Sequence, residues 1–261
     1  LTQAAPILEE NRDGILVVTL NRPETRNALT FDMYASLDAI FADADTNPAV
    51  RAVVLKGAGG KAFASGTDIS QFREFSKPQD AIDYDARISR VLDTIERCGK
   101  PVIASISGAC TGGGAGIAAA SDIRLATRDS RIGFPVARTL GNCLSMSNYA
   151  RLAALIGPAK TLEILFTARL LDAREAQEIG LVNEVVSDAA ELEARTEELA
   201  AKIASNAPLT LRATKEALRR LRPRLPDTTG QDLLLLCYMS RDFKEGIDAF
   251  LTKRQPQWTG T

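Results

Sequence analysis

An α/β core followed by a helical C-terminal part is the fold class that this 261-residue sequence predicts. Three observations carry the prediction. Short apolar runs alternate with amphipathic helical stretches as far as Ala126, glycine-rich turns follow several of those runs, and the pattern is mostly helical from Asn142 onward. Strands that read as unbroken apolar runs are those covered on both faces.

The elements follow in order. Ile15–Leu20 reads as a strand, closed by the turn signal Asn21-Arg22-Pro23. Thr30 is the expected N-cap of a helix over Phe31–Asp45, with Met33, Leu37, Ile40 and Phe41 on one face. Val53–Leu55 lies in the next strand, which Gly57-Ala58-Gly59-Gly60 breaks. Residues 79–98 read as a helix striped by Ile82, Ile88, Leu92 and Ile95. Pro101–Ile106 is a buried strand, Ser107–Gly116 a glycine turn, and Ala115–Ala120 the start of a small-residue helix. Ile123–Ala126 gives another strand. Beyond it Leu144, Asn148, Leu152 and Leu155/Ile156 share a helical face, with Asn142 as its expected cap. Pro158 opens the next helix and Leu181–Val186 forms a last short strand. Residues 188–205, 208–221 and 230–252 read as helices split at Pro208 and at Arg222–Pro226. The apolar run Leu233–Leu236 is broader than one stripe, and it serves either a neighbouring subunit or the chain's own core.

Composition removes several function classes. With 45% apolar and 25% charged residues and a net charge of −1, the chain has no basic field for nucleic acid or an anionic membrane. It holds no run of roughly 20 apolar residues that would span a bilayer. The opening LTQAAPILEE lacks the pattern of a secretory signal. Four scattered cysteines, Cys98, Cys110, Cys143 and Cys237, form no CxxC and have no histidine beside them, so the expectation is reduced thiols, no metal and a cytoplasmic location. The absence of any histidine also excludes Ser-His-Asp and Cys-His catalysis. Chemistry must therefore rest on carboxylates, main-chain donors, hydroxyls, water or the substrate itself.

Two loops can supply main-chain donors: Ala62-Phe63-Ala64-Ser65-Gly66-Thr67-Asp68-Ile69 and the turn through Gly112-Gly113-Gly114. A pair of N–H groups aimed at one point makes an oxyanion hole, and either loop alone also reads as a close-packing turn. Their order, with further segments, resembles the crotonase family, also called the enoyl-CoA hydratase/isomerase family. The matching segments are Asn21–Leu29, Ala62–Ile69, Lys100–Ala104, Gly108–Gly114, Ser121–Ile123, Gly180–Asn183 and Arg241–Phe250, spread over nearly the whole chain.

The resemblance implies a crotonase spiral of strand-strand-helix units over residues 1–200. A C-terminal helical trimerisation region, residues 201–261, would give a homo-oligomer, a trimer or a dimer of trimers. It implies an acyl-CoA thioester substrate, with coenzyme A entering as part of that substrate and no permanently bound cofactor. Carried over by position, the oxyanion donors are the N–H groups of Ser65 and Gly113. The coenzyme path falls along Arg26, Ala28, Ala64, Ser65, Gly66, Thr67, Asp68, Gly112 and Gly113. Arg22, Arg26 or a neighbouring subunit's Lys253 would meet phosphate. Asp68 reads first as a helix cap, and Asp122 as structural.

The sequence departs from the family at the two hydratase glutamates. Gly116 stands at the first position, and Val136 or Ala137 at the second, depending on a one-residue gap. None of these can move a proton, a step worth roughly 10²–10⁴-fold. Two-glutamate hydration is therefore not expected. Arg138, Thr139, Asn142, Ser145 and Thr111 are the polar residues in neighbouring segments, and Arg138 is the sharpest of them, either holding a substrate carboxylate or pairing with Asp122, Asp129 or a helix C-terminus. Glu74 and Asp80 are further carboxylates that could reach the site. Decarboxylation, thioester hydrolysis, another lyase step and acyl-CoA binding with little turnover all remain open.

Overall fold

A computed structural model describes residues 5–221 and 230–261. The strands are Ile7–Arg12 (β1), Ile15–Leu20 (β2), Ala52–Gly57 (β3), Ala62–Ala64 (β4), Val102–Ile106 (β5), Ala109–Thr111 (β6), Ile123–Thr127 (β7), Arg131–Gly133 (β8), Leu171–Asp172 (β9) and Glu184–Val186 (β10). Between them lie Phe31–Thr46 (α1), Pro78–Arg97 (α2), Gly113–Ala120 (α3), Val136–Thr139 (α4), Met146–Ile156 (α5), Pro158–Thr167 (α6) and Ala173–Glu178 (α7). The chain closes with Ala189–Ala204 (α8), Pro208–Leu221 (α9), Gln231–Tyr238 (α10) and Arg241–Leu251 (α11).

After β1, β2 and α1, each of the next three units (β3-β4-α2, β5-β6-α3 and β7-β8-α4) adds one strand to each of two sheets and then a helix. The larger sheet runs β1-β2-β3-β5-β7-β10, parallel except for β1, and the smaller runs β4-β6-β8-β9. That repetition is the expected spiral. On one face of the larger sheet Val53, Leu55, Ala104 and Ile106 join a core with α1, α2 and α3. On the other face Val54, Ile103 and Leu125 pack against Leu192 and Ala200 of α8. Coverage on both faces explains why these strands read as unbroken apolar runs.

Several expected boundaries move. β1 was not foreseen, because after Ile7 and Leu8 its residues are polar and its side chains are mostly exposed. The α5 cap is Ser145, whose hydroxyl accepts from the Asn148 N–H at 3.2 Å, and not Asn142. The single helix expected over 230–252 is two, since Ser240 turns the chain and caps α11 by accepting from the Phe243 N–H. The expected break at Arg222–Pro226 lies outside the described residues. The Leu233–Leu236 run divides between the chain's own core and its surface. Leu234 is buried in a cluster with Phe72, Tyr238 and Phe243, whereas Leu233 and Leu236 are exposed.

Candidate active site

Strand pairing in the smaller sheet builds the site. β4 and β6 run parallel with Ala64 opposite Cys110, and β6 and β8 pair with Thr111 opposite Gly133. The loops leaving these strands, at 65–68, 111–114 and 134–136, therefore emerge side by side. They meet α2, α5 and α10 around a cavity of about 390 Å³. A larger cavity of about 750 Å³ lies on the far face of the larger sheet beside α8, remote from every loop donor.

Gly112 makes the turn with φ 53° and ψ −119°, backbone angles that a side chain strongly disfavours, and α3 starts at the next residue. Gly113 is needed for space: a Cβ there would fall 2.0 Å from Tyr34 Oη and 3.3 Å from Thr67 Oγ1. Tyr34 is fully buried, and its hydroxyl heads a chain in which Tyr34 Oη and Tyr84 Oη each lie 2.9 Å from Thr67 Oγ1. The two loops are thus in contact through Thr67 and Gly113.

The main-chain hydrogen bonds decide which N–H groups face the cavity. Asn27, buried with φ 56°, donates to Ala58 O and Ala62 O and fixes the preceding turn against β4. That turn places Arg26 O where it accepts the Ser65 N–H at 3.0 Å. The Ser65 amide, expected as one oxyanion donor, is therefore engaged, which corrects that assignment. Asp68 N–H donates to Leu29 O and Gly112 N–H to Gly133 O. Among the described residues no acceptor takes the N–H of Thr67 or of Gly113. Thr67, expected only along the coenzyme path, is thus the residue of this loop whose amide is left unengaged at the cavity.

Other expected residues divide clearly. Ala28, Ser65, Gly66, Thr67, Asp68, Gly112 and Gly113 line the cavity, whereas Ala64 is buried behind it. Asp68 is a cap, as read from sequence: it accepts from Ser70 N–H and pairs with Arg22 at 3.2 Å. These bonds hold its carboxyl below the usual range against the opposing effect of burial. Arg22 is thereby committed within the chain, and Arg26 is exposed outside the lining. Lys253 is exposed just past α11 and does not line this chain's cavity. Asp122 is structural, accepting from Val102 N–H and pairing with Lys215 at 2.8 Å.

Gly116 and Val136 line the cavity, and Ala137 does not. Arg138 is exposed on α4 and is not brought to the cavity, which corrects its tentative catalytic role, and it pairs with neither Asp122 nor Asp129. Glu74 is exposed, and Asp80 is held by the N–H groups of Ser76 and Lys77 at the start of α2.

Three features of the opposite wall were not foreseen. Arg151, 1% exposed, pairs with Asp93 and Glu96 and donates to Asn148 Oδ1 at 3.1 Å, so the Asn148 amide is fixed beside Gly116. Cys143 lies against Cys237, and as donor it draws the Cys237 thiol down to about 7 while its own rises. Asp85 lines the cavity with no salt bridge or hydrogen bond, and burial pushes its carboxyl up to about 6. One signal for Asp85 was present: it precedes Ile88 and Leu92 by three and seven residues, a carboxylate within the apolar stripe.

Comparison with known proteins agrees with this architecture. Residues 10–261 match the enoyl-CoA hydratase/isomerase family. The chain belongs to that family, the crotonase family. It is 34% identical over 252 residues to the short-chain-enoyl-CoA hydratase of Clostridium acetobutylicum, covering 95% of each chain. It is 31% identical to the peroxisomal Δ(3,5)-Δ(2,4)-dienoyl-CoA isomerase of Arabidopsis thaliana, over 97% of this chain and 95% of that one. A methylmalonyl-CoA decarboxylase solved with 2-nitronate-propionyl-CoA superposes with a TM-score of 0.88 at 27% identity, covering 98% and 99% of the two chains. The chain is thus a crotonase-family enzyme of acyl-CoA metabolism. Among the described residues no helix is long and apolar enough to cross a membrane, and no group of metal-ligating side chains is found.

Proposed function

We propose that this crotonase-family enzyme binds an acyl-CoA thioester with its carbonyl oxygen between the N–H groups of Thr67 and Gly113. There the oxygen becomes anionic as an enolate forms. The observation that carries the reading is the juxtaposition of two main-chain donors, each without an acceptor, at the floor of one cavity. Main-chain donors stay protonated at every working pH, and losing one typically costs about 10²–10³ in rate. The acyl part would occupy the space between the glycine turn, α2 and α5, and coenzyme A would leave past Ala28, Ser65 and Asp68.

Two-glutamate hydration is not part of the proposal, because Gly116 and Val136 present no carboxylate to a water. The curated relatives are named as hydratase and isomerase, and the solved neighbour as decarboxylase, so enolate chemistry is common ground for the alternatives. The empty proton-transfer positions also favour a second reading, an acyl-CoA binder with little turnover. A panel of enoyl-, malonyl- and hydroxyacyl-CoA thioesters tests both. Turnover of any member, abolished by Gly113→Pro, is the expected result; binding of coenzyme A thioesters with a flat panel would favour the binder.

The proposal extends to a homo-oligomer, a trimer or a pair of trimers. Its support is the exposed apolar surface of the C-terminal helices: Leu209, Leu218 and Leu221 on α9, and Leu233 and Leu236 on α10.

A further inference from the structure

We propose that Asp85 of α2 is the proton carrier of this site, standing in for the glutamates absent at Gly116 and Val136, and that it moves one proton between two carbons of the same acyl chain. The inference rests on the enolate reading above. Its first support is position. Asp85, Ile88 and Leu92 all line the cavity from one face of α2, and Leu92 Cδ1 comes within 3.4 Å of where a Gly116 side chain would begin. The preceding residue, Tyr84, reaches Thr67 through its hydroxyl at 2.9 Å, so this turn of α2 is fixed against the loop that carries one of the proposed donors.

The second support is elimination. Only two carboxylates line the cavity among the described residues, Asp68 and Asp85. Asp68 is occupied by Arg22 and Ser70, whereas Asp85 has no partner and no Lys or Arg lines the cavity to supply one. A carboxylate so placed is desolvated without compensation, a condition that enzymes use to bring an acid near neutral pH. The groups facing it are Tyr84 from its own helix, Cys143 from the segment before α5 and Tyr238 from α10. Burial raises both tyrosines, Tyr84 to about 12, and the contact with Cys237 together with burial raises Cys143, so none titrates in the same range. Arg87, two residues on, lies over the Phe31 ring at 4.9 Å. Cys237, behind Cys143, is the one group drawn into that range, at about 7.

One carboxylate suffices for a 1,3-shift of an enoyl double bond. The α C–H bond of a 3-enoyl thioester breaks, its proton passes to Asp85 Oδ, and its electron pair delocalises onto the thioester oxygen held by Thr67 and Gly113. The Asp85 O–H bond then breaks as a C–H bond forms at the γ-carbon. The product is the 2-enoyl thioester, the carboxylate is restored, and no water or co-reactant is consumed.

Exchange of the α-protons of butyryl-CoA in D₂O, followed by NMR, tests the first half-step without knowledge of the natural substrate. The wild-type enzyme should exchange them, at a rate that rises with pH and levels off through an inflection near about 6. The inflection should persist in Cys237→Ser. Asp85→Asn should exchange roughly 10²–10⁴-fold more slowly while binding butyryl-CoA as well as before. Asp85→Glu should retain exchange with a displaced inflection, which covers the case in which the amide variant fails to fold. Wild-type exchange in Asp85→Asn, with exchange lost in Gly113→Pro, would overturn the Asp85 assignment and leave the enolate reading standing. A wild-type rate flat from pH 5 to 8 would also overturn it. Butyryl-CoA bound by the wild type without any exchange would overturn both.

Discussion

Two walls face each other across the acyl cavity, and they are built from different parts of the chain. The donor wall is main chain: Gly112, Gly113 and the Ser65–Asp68 loop, held in place by parallel pairing of β4 with β6. The opposite wall is side chain: Asp85, Leu92, Asn142, Cys143 and Asn148, drawn from α2 and from the stretch that ends in α5. The first wall offers N–H groups whose chemistry does not depend on residue type. The second holds the side chain to which we assign the moving proton, Asp85, and shares the lining with Gly116 and Val136. Binding and polarising a thioester is therefore separable from the reaction that follows.

The donor wall is the easier to break. Gly113→Ala places a Cβ 2.0 Å from the buried Tyr34 hydroxyl. It should cost about 10²–10³ in turnover by displacing a donor, and about 1–3 kcal/mol in stability by overpacking. Steady-state kinetics and denaturant melts on one preparation check both. An alanine variant with unimpaired turnover would remove Gly113 from the oxyanion hole.

The side-chain wall can be rewritten instead. A Cβ at Gly116 meets Leu92 and Asn148 at 3.4 and 3.6 Å, ordinary contacts, so the double variant Gly116→Glu/Val136→Glu should fold. Hydration of a 2-enoyl-CoA, followed by loss of its absorbance, should then rise by about 10² or more over wild type. No gain would mean that something other than the missing acids limits hydration.

Asp85 connects that wall to stability. Its folded-state pKa of about 6 is raised above the unfolded value, so the neutral form favours folding and stability declines as pH rises through about 6. Discounted for partial solvent access, Asp85→Asn should be about 1–2 kcal/mol more stable than wild type at pH 8. The difference should vanish below pH ~4, where both the folded and unfolded aspartic acid are protonated. Chemical melts at the two pH values measure this; an equal gap at both would reject the raised pKa.

The smallest effect on the individual fold is expected at an exposed position outside both walls. Leu236 is 72% exposed on α10, two residues from the buried Tyr238 that lines the cavity. Leu236→Glu should shift sedimentation from trimer or hexamer toward monomer, while the monomer's own stability changes by no more than ~0.5 kcal/mol. Unchanged sedimentation would place the subunit contact elsewhere.

How much of this was legible in sequence follows the same division. The α1 cap at Thr30, β2 at Ile15–Leu20 and the glycine turn before α3 are local events, set by propensity, alternation and the demands of positive φ. The oxyanion loops were legible for that reason, but not which amide in the first loop is free. That depends on Arg26 O, which a left-handed turn 39 residues upstream brings to Ser65. Arg138 drew notice through its proximity in sequence to the missing glutamates. It proves to sit on the outward side of a four-residue helix whose Val136 and Thr139 face the cavity.

The sequence by itself determined the alternation of the larger sheet's inner strands with helices, the family and the absence of histidine, because these are properties of single positions or short windows. The tertiary structure alone decided that Arg26 O engages the Ser65 amide while no acceptor among the described residues takes that of Thr67, and that Asp85 of α2 lines the same cavity without a partner. Each depends on groups distant in the chain meeting at one cavity: a carbonyl that engages one amide, and a wall with no cation to neutralise a carboxylate.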